Sequence, residues 1–144
     1  MATLKVVAEF LRVKELCYSQ FFTESCKTQP TRKGRTMGFG LVVRFVAHDA
    51  TAAQAFDALA EEALNGIRAE EPGTLVYVNH AVANDPRVRV FYELYTDREA
   101  FEEHERQPHV RRFLAERGQY LESFEVTFLD EVSGKGGSAT QTVR

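Results

Sequence analysis

His104 and His109 bound the stretch H-E-R-Q-P-H, and two imidazoles this near in a chain can hold a metal, serve as acid and base, or only pack. The metal reading fails on spacing. A zinc-hydrolase helix carries H-E-x-x-H because residues four apart share a helix face. Here the separation is five, which on an unbroken helix turns the second ring roughly 140° from the first. Pro108 also lacks the N–H that a helix interior needs and disfavours helical geometry at Gln107. His48, His80, Cys17 and Cys26 fall in other segments without paired spacing, so no metal is expected. Acid–base chemistry and a structural role, capping a helix or pairing with a carboxylate, are the readings left, and the two rings differ in their surroundings. His104 lies toward the end of a helix beside Glu102, Glu103 and Glu105, where dipole and carboxylates favour positive charge. His109 falls in the first turn of the next helix, where the dipole favours a neutral ring suited to act as base.

The elements that must position these rings follow a regular order. Phe39 to Val46 is β-branched and aromatic, a strand. Thr51 to Gln54 has the spacing of a capping box, and Phe56, Leu59, Ala63 and Ile67 then recur at helical spacing until E-P-G ends the helix. Strands over Thr74 to His80 and Val88 to Tyr95 flank the turn-forming N-D-P at Asn84 to Pro86. A second capping box, Thr96 to Glu99, opens a helix through about Arg106, and Pro108 opens a short one ending near Gly118. Ser123 to Leu129 alternates as the last strand. The order βαββαβ predicts an α+β, ferredoxin-like fold with an antiparallel sheet. Its helices cover one sheet face, yet Val90, Tyr92 and Leu94 make the other face apolar too, so a homodimer is expected to cover it.

With 144 residues and 44% apolar composition the chain reads as one ordinary domain, with no apolar run long enough to span a membrane. Residues 1–36 carry a net charge of +4 and the remainder −7, and an acidic body argues against nucleic acid as a partner. Both cysteines lie in that leader. Free thiols and a cytoplasmic home are the simplest expectation, with a Cys17–Cys26 bridge left open. Charged residues interrupt any secretory h-region. Leu4, Val7, Leu11 and Tyr18 fall near one helical face, so the leader is either an amphipathic docking helix or a poorly ordered, dispensable extension, with Met37 then the functional start. The expected organisation is an extension over 1–36, a domain over 37–130 and a Gly/Ser-rich flexible tail over 131–144.

Three stretches carry a family resemblance: E-E-P-G-T-L-V-Y-V-N-H, D-P-R-V-R-V-F-Y-E-L-Y-T-D-R-E-A-F-E-E-H and P-H-V-R-R-F-L. Together they resemble the antibiotic biosynthesis monooxygenase family of dimeric α+β barrels, over roughly Met37 to Leu129. The family includes quinol and polyketide monooxygenases, haem-degrading enzymes, an autoinducer isomerase and members without known activity, so the resemblance implies a fold more sharply than a reaction. Haem-degrading members use a Trp, and this chain has none. Polyketide-oxidising members carry Asn, Trp and Tyr where Phe91, Tyr95 and Phe101 stand here, so two of those three polar handles are lost. The likeness is to the small quinol-monooxygenase and autoinducer-isomerase types.

The expected function is a cofactor-independent monooxygenase acting, with O₂, on a small quinol, phenolic or polyketide-like aromatic compound. Such chemistry needs a base, a dry aromatic pocket and a donor for the developing oxyanion. His104, His109 and Glu93 are the candidate catalytic groups, Glu93 being equally placed to pair with Arg44 or Arg89 across the sheet. Tyr95, Phe91 and Phe101 are candidate substrate-binding walls. Tyr77 and His80 alternate, so one at most faces the pocket, and Asn79 is a candidate oxyanion donor. The other readings are a non-catalytic or stress-associated dimeric barrel that binds a small apolar ligand, and an isomerase on the same scaffold.

Overall fold

β-Branched and aromatic residues build the first strand, β1 (Phe39–Ala47), and helix α1 (Ala50–Glu70) follows directly. The computed structural model describes residues 38–135. The leader with its cysteines and amphipathic spacing, Met37, and the tail beyond residue 135 lie outside the described residues. The hairpin β2 (Thr74–Val82) and β3 (Asp85–Tyr95) turns at Ala83 and Asn84, and helices α2 (Arg98–Arg106) and α3 (Pro108–Glu116) come next. A 3-10 turn over Arg117–Gln119 leads into β4 (Leu121–Asp130). The strand order is β2-β3-β1-β4, antiparallel at every pairing, which makes the domain ferredoxin-like α+β.

The starts of α1 and α2 are capped by aspartates and not by the threonines expected from the sequence. Asp49 accepts from Ala52 N at 2.7 Å and Asp97 from Ala100 N at 2.9 Å. The physical reason is charge: an ionised carboxylate satisfies the orphan amides and complements the positive end of the helix dipole.

Strand register decides which side chains meet the helices. Phe39, Leu41, Val43 and Phe45 stand opposite Tyr95, Glu93, Phe91 and Arg89, so these residues share one face. Ala53, Phe56, Ala60, Ala63 and Ile67 form the buried stripe of α1 that packs on it. Phe45, Phe56 and Phe91 are fully buried, with ring centroids 5.0 Å apart for Phe45–Phe56 and for Phe45–Phe91. Each contributes about 1.5–3 kcal/mol through apolar burial.

The break between α2 and α3 is local chemistry. Gln107 adopts φ −61°, ψ 139°, the extended geometry forced on a residue before proline, and Pro108 takes the first position of α3, where no N–H is needed. The chain axis therefore changes between His104 and His109.

Candidate functional site

The E-P-G turn after α1 brings a carboxylate under both histidines. Glu71 is the C-terminal cap of α1, and its side chain is only 4% exposed. His104 Nδ1 lies 2.6 Å from Glu71 Oε2, His109 Nε2 lies 2.6 Å from Oε1, and the Thr74 hydroxyl donates to Oε2 at 2.7 Å. On an unbroken helix the two rings would diverge; the kink at Gln107 lets them converge on one acceptor. At these distances nitrogen and oxygen are in direct hydrogen bonds, with no space between them for an ion. Among the described residues no group of three or more His, Cys, Asp or Glu side chains is arranged to hold a metal.

Two glycines make the convergence possible. A β-carbon on Gly66 would stand 2.4 Å from His109 Cγ, and one on Gly73 would stand 2.7 Å from Ala100 Cβ in α2. Both positions need a bare backbone because a neighbouring helix side chain occupies the space.

Burial works against ionisation of Glu71, but the hydrogen bonds from His104, Thr74 and His109 outweigh it and hold the carboxyl below its ordinary range. An ionised carboxylate only accepts, so both imidazoles donate to it, His104 through Nδ1–H and His109 through Nε2–H. His104 Nε2 has no hydrogen-bond partner among the described residues. The His104 side chain as a whole is buried, 5% exposed. A ring oriented by a carboxylate at one nitrogen and open at the other has the geometry of a general base.

Aromatic rings surround that nitrogen's imidazole. Tyr95 and Tyr77 have centroids 5.2 and 5.5 Å from the His104 ring. Phe101 lies 5.4 Å from Tyr95, and Phe39 and Phe128 lie 5.2 and 6.1 Å from Phe101. The column runs from Phe128, 37% exposed, down to buried His104.

Glu93 forms neither of the ion pairs expected for it. It accepts from the Tyr95 hydroxyl at 2.7 Å, while Arg89 makes a two-pronged pair with Asp57, both distances 2.8 Å, and Arg44 is exposed on the far face. Burial pushes the Glu93 carboxyl up, and the Tyr95 hydroxyl, His104 and Arg117 only partly offset it. Burial and the Glu93 charge also push both Tyr77 and Tyr95 above the phenol range, so both stay neutral. Arg117 is buried beneath the same cluster with its guanidinium 4.7 Å from the Phe124 ring, and burial pushes it down to about 10.

The structure thus brings His104, His109, Glu93, Tyr95, Tyr77, Phe91 and Phe101 to the helix-covered side of the sheet. Two other candidates lie apart. Asn79 is exposed and donates to Asp57 Oδ1 at 2.9 Å, an ordinary link between β2 and α1. His80 points to the opposite sheet face, exposed, with Nδ1 3.2 Å from Val90 O. Glu71, Thr74, Arg117 and Gly66 were not legible as site residues. In E-E-P-G the two glutamates are alike by type, yet Glu70 is exposed and Glu71 buried.

The four-stranded antiparallel sheet with its helices defines the class of protein as ferredoxin-like α+β. The chain belongs to the antibiotic biosynthesis monooxygenase family, which it matches over residues 40–116. No curated protein matches the chain at a significant level. Among solved structures, it is similar to a protein of Mycobacterium tuberculosis, with 26% identity and TM-score 0.61 over 67% of this chain and 97% of that one. A Caulobacter crescentus protein inferred to be an antibiotic biosynthesis monooxygenase shows 22% identity and TM-score 0.63 over 68% and 92% of the two chains. A Pseudomonas aeruginosa protein shows 22% identity and TM-score 0.62 over 69% and 100%. Among the described residues no helix is long and apolar enough to cross a membrane.

Proposed function

We propose that this chain is a cofactor-independent monooxygenase acting on a small quinol, phenolic or polyketide-like compound, with His104 as its acid–base group. The observation that carries the reading is His104 itself, bound to Glu71 through Nδ1 and open at Nε2 among aromatic rings. His104 Nε2 takes the phenolic proton, leaving an electron-rich phenolate. The phenolate passes an electron to O₂, and the radical pair joins as a C–O bond at a ring carbon. The imidazolium returns its proton to the peroxide; the O–O bond breaks, the ring C–H proton leaves, and the products are a quinone carbonyl and one water. All four electrons that reduce O₂ come from the substrate, so no cofactor is required.

The test is oxygen uptake by metal-stripped protein with hydroquinones and hydroxynaphthalenes, comparing wild type with His104→Ala. Uptake above autoxidation, reduced about 10²–10⁴-fold in the variant, is expected for loss of a general base. One observation favours a ligand-binding barrel without turnover: the single hydroxyl hydrogen of Tyr95 is donated to Glu93, so it is not offered to an oxyanion. Saturable binding with no uptake would choose that reading, and conversion without O₂ would choose an isomerase.

A homodimer belongs to the same proposal. Val76, Val78, Tyr92, Leu94 and Leu129 lie on the face turned away from the helices, and a cleft of about 530 Å³ there is lined by Gly40, Val76, Tyr92, Leu94 and Leu129 with residues 130–135. A second copy of this sheet is the occupant that fits an apolar, self-complementary face. Sedimentation at micromolar concentration should give twice the chain mass; a monomer would remove the dimer.

A further inference from the structure

We infer that Glu71 and His109 are positioning residues for His104. Glu71 fixes the His104 ring with its proton on Nδ1 and its lone pair on Nε2, and His109 holds the other carboxylate oxygen so that Glu71 cannot turn away. Three donors converge on two oxygens: His104 Nδ1 and the Thr74 hydroxyl on Oε2, and His109 Nε2 on Oε1. Because the acceptor is a buried carboxylate, the neutral forms of the two rings are held in opposite tautomers. A histidine side chain in water prefers its proton on Nε2, so His104 is kept in the less favoured form, the one that leaves Nε2 free to act.

The surroundings are shaped for this arrangement. Gly66 leaves a bare backbone beneath the His109 ring, where a β-carbon would lie 2.4 Å from Cγ, 2.5 Å from Nδ1 and 2.9 Å from Cδ2. Gly73 lets the turn that carries Glu71 close against Ala100 of α2, the helix that carries His104. The break at Gln107 aims the second ring at the same carboxylate. Chain features at three separate places therefore serve one convergence. A carboxylate that orients an imidazole and stabilises its charged form commonly contributes about 10–100-fold to the activity it supports.

The consequence for turnover rests on His104 being the base proposed above; the tautomers do not. The experiment is nitrogen-15 NMR of the full chain, labelled at histidine, followed toward alkaline pH until the ring nitrogen shifts stop changing. Expected are a proton on Nδ1 in His104 and on Nε2 in His109. Glu71→Gln offers one carbonyl oxygen and one NH₂. The oxygen stays with Thr74 and His104, so the NH₂ must donate to His109, whose proton moves to Nδ1. Gly66→Ala, which keeps the carboxylate, should free His109 to the mixed tautomers of solution while His104 retains its Nδ1 proton. Mixed tautomers in both wild-type rings, or unchanged rings in both variants, would overturn the inference. With an active substrate, Glu71→Gln should lower kcat about 10–100-fold and leave KM within about threefold; a change confined to KM would also overturn it. Absence of oxygen uptake by wild type would end the monooxygenase reading and leave the tautomers to be judged by NMR alone.

Discussion

A β-carbon on Gly66 would lie 2.4 Å from His109 Cγ, so this helix glycine is the floor on which the ring rests. Helix propensity alone favours Gly66→Ala by about 1 kcal/mol. The clash is with the base of the ring, which is tied to Glu71 at its far end and cannot yield without breaking that bond. The substitution should therefore destabilise by about 1–3 kcal/mol, the usual cost of overpacking. Gly66→Ala combined with His109→Ala should recover stability relative to Gly66→Ala alone. Thermal denaturation checks both, and a rise in Tm for the single variant would show that the ring moves aside at no cost.

The pH dependence of Glu71 has a definite sign. Against the opposing effect of burial, His104, Thr74 and His109 hold its carboxyl below the ordinary value of 4.5. A depressed carboxylate contributes stability above its unfolded pKa and loses it as pH falls through the folded one. Glu71→Gln should therefore cost about 3 kcal/mol near neutrality, as removal of a buried charged partner does. The gap to wild type should close as pH falls below about 4.5. Urea unfolding across pH 3 to 7 measures it, and a gap that widens in acid would contradict the assignment.

Glu93 has the opposite sign. Burial raises its carboxyl above 4.5 despite the Tyr95 hydroxyl, His104 and Arg117. Its contribution to stability is fully present below the unfolded pKa and is lost as pH rises through the folded one. Glu93→Gln keeps an acceptor for Tyr95 and removes the charge. The Tm of this variant relative to wild type should rise by roughly 2–8 °C between pH 4 and pH 8, the shift expected for about 1 kcal/mol in a domain of this size. A flat or falling difference would place an ionised Glu93 in a better-solvated setting.

Phe101 is half-buried between Tyr95 and the exposed Phe128. The chain has no Trp, so Phe101→Trp introduces one tryptophan, selectively excited near the red edge of its absorption, on the aromatic column. Hydroxynaphthalenes should quench its emission saturably and shift it to the blue as water leaves. Quenching that stays linear with concentration would move the ligand site elsewhere.

How much of this was legible depends on the range of the interaction. The alternation in Phe39–Ala47 and in β3, the three- and four-residue spacing of α1, and Pro108 as a helix start all act within a few residues, and the element order follows from them. The faces of β3 were legible for the same reason: side chains alternate, so Phe91, Glu93 and Tyr95 had to share a side. The capping threonines misled because two capping patterns overlap within a few residues, and an aspartate carboxylate is the stronger acceptor for helix amides.

The site itself is long-range. Glu71 is 33 residues from His104 and 38 from His109, and nothing in E-P-G distinguishes a buried acceptor from an exposed helix end. On a continuous helix His104 and His109 would diverge, and only the packed kink lets five residues across a proline aim both rings at one carboxylate. By itself the sequence determined the ferredoxin-like order and the sheet face that meets the helices, because hydrophobic period, proline and alternation are local constraints. The tertiary structure decided that Glu71 joins the two histidines, that Tyr95 and neither Arg44 nor Arg89 is hydrogen-bonded to Glu93, and that Gly66 makes room for His109, because burial and hydrogen-bond partnership arise only when distant segments pack.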